Sequence, residues 1–284
     1  MNIFLLLLLG TIWGSSYLFI KIAVADVPVF TLVAGRLFFS ALILWAIVLL
    51  ARQHVPRERS LWGAYTMMGF FSGTLPYALI TWGEQYIPSG LAALLQATMP
   101  LFTVIMVHWI IVDERMTWAS AAGVAVGFVG VGVLMLPDLR TGLRANLLGQ
   151  LAIVGASVSY AWAAIYARKR LRDEPPLINT LGQLTMGALL TLPLSLILER
   201  PFDLSPSAPA LWSWLGLVVL GTVIAYVIYY ALIERTSATF VSTVTYVIPV
   251  NGLIMGALVL DETLTPVVIV SLVLILIGVV LVRR

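Results

Sequence analysis

Hydroxyls and aromatic rings recur at helical spacing along several apolar stretches of this chain. Trp13, Ser16 and Tyr17 stand at i, i+3 and i+4, and Thr74, Tyr77 and Thr81 at i, i+3 and i+7. Gln96 and Pro100 share one helix face, Ser159, Trp162 and Tyr166 another, and Tyr226 and Tyr230 a third. Thr239, Ser242, Thr243 and Tyr246 continue the pattern. Side chains three or four apart line one face of a helix. A polar stripe on an otherwise aliphatic helix turns away from lipid. Rings with an O–H or N–H tip can stack on an apolar molecule and still orient its polar groups. The chemistry implied is recognition of a small amphipathic molecule. A second reading stays open, because Trp and Tyr also form belts at membrane interfaces, and Ser and Thr bond to their own or neighbouring helices. The belt is the better reading for the helix-end Trp62, Trp82, Trp109, Trp118 and Trp212. The cavity is the better one for Tyr77, Gln96, Trp162, Tyr226 and Tyr246.

Ionisable groups are few and each has two readings. Arg36 lies eight residues past Pro28, about 12 Å into a helix at 1.5 Å per residue. A buried guanidinium could attract a carboxylate, snorkel, or bond backbone carbonyls at a helix break. Its approximate repeat partner is the uncharged Gln183. Glu84, at the end of a helix, is a gating candidate. Glu114 and Glu262 occupy equivalent helix ends, where a carboxylate favours the start of the following helix. His108, about one turn from a helix end, reads as interfacial rather than as a proton relay. Pro100 and Pro249 lie inside apolar stretches at related positions and are hinge candidates, static curvature being the alternative.

What is missing narrows the chemistry. There is no Cys, and only two His, so no thiolate or His-rich metal site, and no cofactor, is expected. All six Asp fall between the apolar stretches, which excludes an intramembrane aspartyl protease; no Gly-Lys-Ser/Thr phosphate loop exists, which excludes ATP hydrolysis by this chain. Of the 284 residues, 61% are hydrophobic and 10% charged, against roughly 25% charged in a soluble domain. Mean hydropathy is +1.04. The chain is read as an all-α, multi-pass membrane protein in contact with the lipid bilayer, and its net charge of +3 as loop arginines rather than as a nucleic-acid surface.

Ten apolar stretches position these groups: 3–22, 28–51, 61–83, 89–111, 117–136, 146–167, 176–198, 209–233, 238–260 and 265–282. The longest connections are 52–60, 137–145 and 199–208. The first stretch lacks a basic n-region and reads as a retained span. The side holding both termini carries eleven loop Lys and Arg, the opposite side four. That bias predicts cytoplasmic termini. The halves repeat: Pro100 matches Pro249, Asp113-Glu114 matches Asp261-Glu262, Tyr77 matches Tyr226 and Lys21 matches Arg168, at offsets of 147 to 149. Residues 1–141 and 142–284 are therefore read as two five-helix repeats. Five is odd, so the second enters the membrane inverted, the organisation of many secondary transporters.

The Trp13-Gly-Ser-Ser16 turn, the Gly35-Arg36-Leu37-Phe38 run and the duplicated Pro…Glu…Thr pattern resemble the drug/metabolite transporter superfamily, specifically its EamA-type ten-helix branch. The resemblance covers essentially the whole chain. It implies a central cavity lined mainly by the first, third, fourth, sixth, eighth and ninth helices, with the fifth and tenth at the periphery. It also implies a carrier that exports amino acids or related metabolites from the cell through the inner membrane. The expectation is an alternating-access transporter, not an enzyme, with an aromatic or hydrophobic amino acid as substrate. Multidrug or cationic-compound efflux is the alternative, with a lipid-modifying enzyme, a scramblase or a passive channel behind it. Gly123-xxx-Gly127 permits close packing within one subunit or against a second copy, so monomer and homodimer both stay open.

Overall fold

The computed structural model describes residues 1–111 and 114–282, the side chains of 238 and 239 excepted. Asp113, Arg283 and Arg284, which entered the charge and repeat readings, and the Thr239 side chain lie outside the described residues.

The protein is all-helical, with ten consecutive helical spans. The first, second, sixth and seventh run unbroken over Asn2–Ala23, Val29–Leu50, Arg144–Arg170 and Pro176–Leu198. The fifth is Trp118–Thr141 and the tenth Pro266–Val282. The fourth is broken between Ser89–Gln96 and Met99–Ile110, the ninth between Ala238–Ser242 and Val244–Leu260. Eight spans are long and apolar enough to cross a membrane, and the tenth is a 17-residue apolar helix. The third, rich in Gly, Ser, Thr and Tyr, completes the ten. The expected connection at 137–145 shrinks to Gly142 and Leu143. The fifth helix continues through Pro137 to Thr141 and ends on Gly142 in the left-handed conformation, φ 69°. The Asp138 carboxylate anchors this turn by accepting from Asn146 and Gln150 at the start of the sixth helix.

The third and eighth spans share a feature. The third runs Arg59–Met68, then Gly69–Thr74, then Leu75–Gly83; the eighth runs Ala208–Val218, then Val219–Ile224, then Ala225–Arg235. The middle stretch of each is a π-helix, and each contains a Gly-Thr pair, Gly73-Thr74 and Gly221-Thr222. A π-turn inserts a residue into the α ladder and exposes backbone carbonyls, and such turns concentrate at functional sites.

The halves interlock around an approximate two-fold relation. The second helix packs on the seventh, the fourth on the ninth and the fifth on the tenth, so each of these helices meets its own repeat counterpart. The first helix packs between the eighth and ninth, as the sixth does between the third and fourth. The fifth–tenth seam is as close as backbones allow. A Cβ on Gly278 would stand 2.6 Å from the Gly123 carbonyl oxygen and 2.7 Å from Gly127 Cα. Gly123 and Gly127 thus serve packing inside the chain.

Candidate functional site

Arg36 sits at the centre of the interlock. It lies on the second helix and is 6% exposed. Its Nε donates to Thr222 Oγ1 at 3.0 Å and its Nη2 to the Gly221 carbonyl at 3.4 Å. Both acceptors belong to the π-turn of the eighth helix. Thr222 in turn donates to the Leu217 carbonyl at 2.9 Å, so the hydroxyl closes the widened turn and presents its lone pairs to the guanidinium. The Arg36 Cζ lies 4.1 Å from the centre of the Tyr77 ring, a cation–π contact. Tyr17, Tyr160 and Tyr226 lie within electrostatic reach of the same charge. Residues from the first, second, third, sixth and eighth helices therefore meet in one polar, aromatic layer between the halves.

The other half mirrors this arrangement with neutral groups. Gln183 on the seventh helix donates to Tyr226 Oη at 3.3 Å. Thr74, in the π-turn of the third helix, donates to the Gly187 carbonyl at 3.3 Å. The glycines preceding these residues are matched as well. A Cβ on Gly35 would stand 2.1 Å from the Trp214 ring, and one on Gly182 2.4 Å from the Tyr65 ring. Glycine at both positions lets a ring from the opposite half lie across the helix.

The aromatic stripes form two walls, each built from both halves. Trp13 packs against Tyr226 and Tyr229 with centroids 6.4 and 5.7 Å apart, and Tyr226 stacks on Tyr230 at 5.9 Å. Trp162 stacks on Tyr166 at 4.9 Å and lies 4.1 Å from Phe71. Tyr17, Tyr77 and Thr81 are buried. Ser16 is buried and bonds back to the Ile12 carbonyl at 3.1 Å while abutting Gly221. Gln96 is half-buried at the break of the fourth helix, its Oε1 without a hydrogen-bond partner among the described residues. Pro100 cannot donate to the Gln96 carbonyl; the Ser157 hydroxyl approaches that oxygen at 3.5 Å. Thr243 stands at the break of the ninth helix and bonds back to the Phe240 carbonyl at 2.6 Å. Tyr246 is partly buried and packs against the apolar cluster that includes Tyr17, Ala93 and Ala97. The fourth helix breaks immediately before Pro100, whereas the ninth breaks six residues ahead of Pro249. Tyr160, Phe71, Gly73 and the Gly221-Thr222 pair escaped the spacing pattern. Tyr160 adjoins the Ser159 stripe without belonging to it, and a π-turn has no composition of its own.

The ends of the bundle differ. On the side opposite the termini, Glu262 accepts from the Ser89 N–H at 2.6 Å, the Ser89 hydroxyl at 2.9 Å and the Gly90 N–H at 2.9 Å. It caps the start of the fourth helix rather than its own following helix, which Thr265 caps instead. Glu199 accepts from the Phe30 and Thr31 amides, and Asp26 from Ser207, whose bonds hold the Asp26 carboxyl below the usual carboxylate range. Each of these carboxylates joins one half to the other. Lys21 donates to the Glu84 carbonyl and, at 2.9 Å, to the Ile87 carbonyl. A cleft of about 620 Å³ opens there, lined by Lys21, Asp26, Tyr86, Leu260 and Glu262 among others. On the terminal side the repeat counterpart of Glu262, Glu114, pairs with Arg168 near the surface. That bond holds the Glu114 carboxyl below its usual range. The cleft there, about 510 Å³, is lined by Ile111, Arg168, Lys169 and Arg172.

Comparison with known proteins agrees with this architecture. The sequence profile of the EamA-like transporter family matches the chain twice, over residues 1–136 and 147–284. A probable amino-acid metabolite efflux pump of Salmonella typhimurium is 30% identical over 97% of this chain and 92% of its own. The transporter YoaV of Bacillus subtilis is 25% identical over 89% of this chain and 87% of its own. The inner membrane transporter YedA of Escherichia coli K12 is 28% identical, covering 89% and 81%. A solved crystal structure superposes with a TM-score of 0.70 over 99% of this chain and 95% of that one, at 18% identity, which supports the fold.

Proposed function

The chain belongs to the EamA-like transporter family, a family of multi-pass membrane transporters and not of enzymes, and from that premise we propose an alternating-access carrier that exports hydrophobic or aromatic amino acids. The observation that carries alternating access is the unequal use of equivalent groups. Glu262 is spent on the start of the fourth helix at Ser89 and Gly90. Glu114, its counterpart, is spent on Arg168 at the surface. The counterpart of Ser89 is Ser237, at the start of the ninth helix, 148 residues on. In the opposite state Glu114 leaves Arg168 and caps the ninth helix at Ser237, while Glu262 releases Ser89. Two conformations then differ by an exchange of equivalent bonds, and the two-fold relation makes their energies similar.

The substrate reading rests on the central layer. Arg36 supplies a fixed cation for a carboxylate, and the Trp13–Tyr226–Tyr230 and Phe71–Trp162–Tyr166 walls supply apolar faces. Tyr17, Tyr77, Thr81, Gln96, Thr243 and Tyr246 complete the proposed lining. The amino-acid metabolite pump of Salmonella typhimurium, with which the chain shares 30% identity, supports the same class. The loop charges support cytoplasmic termini, and the reading as export through the inner membrane rests on the likeness to the Salmonella typhimurium efflux pump and to the inner membrane transporter YedA. Counterflow in proteoliposomes tests the substrate: labelled phenylalanine, tyrosine, tryptophan or leucine exchanges with its unlabelled form, whereas exchange of none of them refutes the amino-acid reading.

A further inference from the structure

Glu84 is the most confined carboxylate of the described residues, and the carrier reading leaves it without a task. It follows the third helix, is wholly buried, and neither oxygen of its carboxyl has a hydrogen-bond partner among the described residues. The charged groups around it are otherwise occupied. Lys21, from the first helix, gives two of its donors to the Glu84 and Ile87 main-chain carbonyls rather than to the carboxyl. Glu262, from the connection after the ninth helix, is spent on Ser89 and Gly90. Arg36, from the second helix, is engaged with Thr222 and Gly221, and Tyr17 of the first helix completes the ionisable neighbours. The sixth helix meets this corner through Gly149 and Ile153 against Gly83, which carry no charge. An ionised carboxylate here would keep its acceptor sites empty and its charge desolvated, at far greater cost than the neutral acid.

We propose that Glu84 is a proton-binding site whose occupancy locks the side opposite the termini closed. The proposal rests on the carrier reading for its two conformations. In the closed state the Glu84 carboxyl carries its proton. Opening withdraws Glu262 from Ser89 and Lys21 from the two carbonyls. The carboxyl then meets water and the freed ammonium, ionises, and returns one proton to the solution on that side. Closing takes one proton back from the same solution. No proton crosses the membrane in this cycle, so the site senses pH on one face instead of coupling transport to a gradient. By linkage, acid on that face favours closure, and each pH unit changes the closed-to-open ratio by up to about tenfold between the two states' titration points.

The chain has no cysteine, so two spin labels can be placed cleanly. Tyr86→Cys and Leu264→Cys put one label on each half, at exposed positions on the sensing face. The distance distribution of the full-length protein in lipid nanodiscs is then followed against pH. The short-distance population is expected to grow as pH falls. Glu84→Gln, which mimics the neutral acid, is expected to hold that population across the whole range. Glu84→Asp is expected to restore the response with a displaced midpoint, which separates titration from mere packing. A distribution indifferent to pH in the unsubstituted protein, or a Glu84→Gln protein that responds as the unsubstituted one does, overturns the proposal. No substrate is needed, so failure here is distinct from failure of counterflow.

Discussion

Arg36 concentrates the argument at the residue scale. Its guanidinium satisfies a hydroxyl, a carbonyl and an aromatic face at once, a geometry that an ammonium cannot reproduce. Arg36→Lys is therefore expected to keep the protein folded while lowering apparent affinity for an amino acid by at least about tenfold, near 1.4 kcal/mol. Saturation curves of counterflow check this. Asp26 makes a separate prediction. Its folded titration point is depressed by Ser207, so its stabilising effect is present at neutral pH and is lost as pH falls through the carboxylate range to the depressed folded value. Thermal unfolding of Asp26→Asn should lose less stability over that acid window than the unsubstituted protein. The intramembrane placement of Arg36 was legible in its distance from Pro28. Its partners were not, because they lie 186 residues away on a turn that sequence spacing does not announce.

At the scale of elements, hydropathy and punctuation located all ten helices, with ends generally within one to three residues. They failed at Pro137, where a proline reads as a stop but the helix continues five residues to the left-handed Gly142. They also could not foresee the matched π-turns, since a π-turn reflects backbone register rather than residue type. Of the two hinge candidates, Pro100 stands just after the break of the fourth helix, whereas Pro249 lies inside Val244–Leu260, six residues past the break at Thr243. The fifth–tenth seam gives a test of packing. Gly278→Ala drives a Cβ toward the Gly123 carbonyl oxygen and Gly127 Cα, backbone that cannot step aside. The cost should be about 1–3 kcal/mol. Gly132→Ala, on the same fifth helix but facing open space, should be neutral or stabilising by at most about 1 kcal/mol. Thermal shifts of the two variants in one detergent separate these outcomes.

For the whole molecule, the sequence already contained the two-fold relation, because a duplicated odd number of spans must be inverted. The relation alone could not reveal how the two ends differ, since equivalent sequences are free to make different bonds. That difference, with Glu262 on Ser89 at one end and Glu114 on Arg168 at the other, carries the functional account. The most direct measurement locks each end in turn in a chain that has no native cysteine. Ser89→Cys with Glu262→Cys, or Glu114→Cys with Ser237→Cys, is joined by a cleavable bifunctional thiol reagent, and counterflow is measured before and after cleavage. Either lock alone is expected to abolish the exchange that the same variant shows before cross-linking, cleavage to return it to that level, and locking one end to lower the yield of the other cross-link. Exchange that continues with either end locked would contradict alternating access.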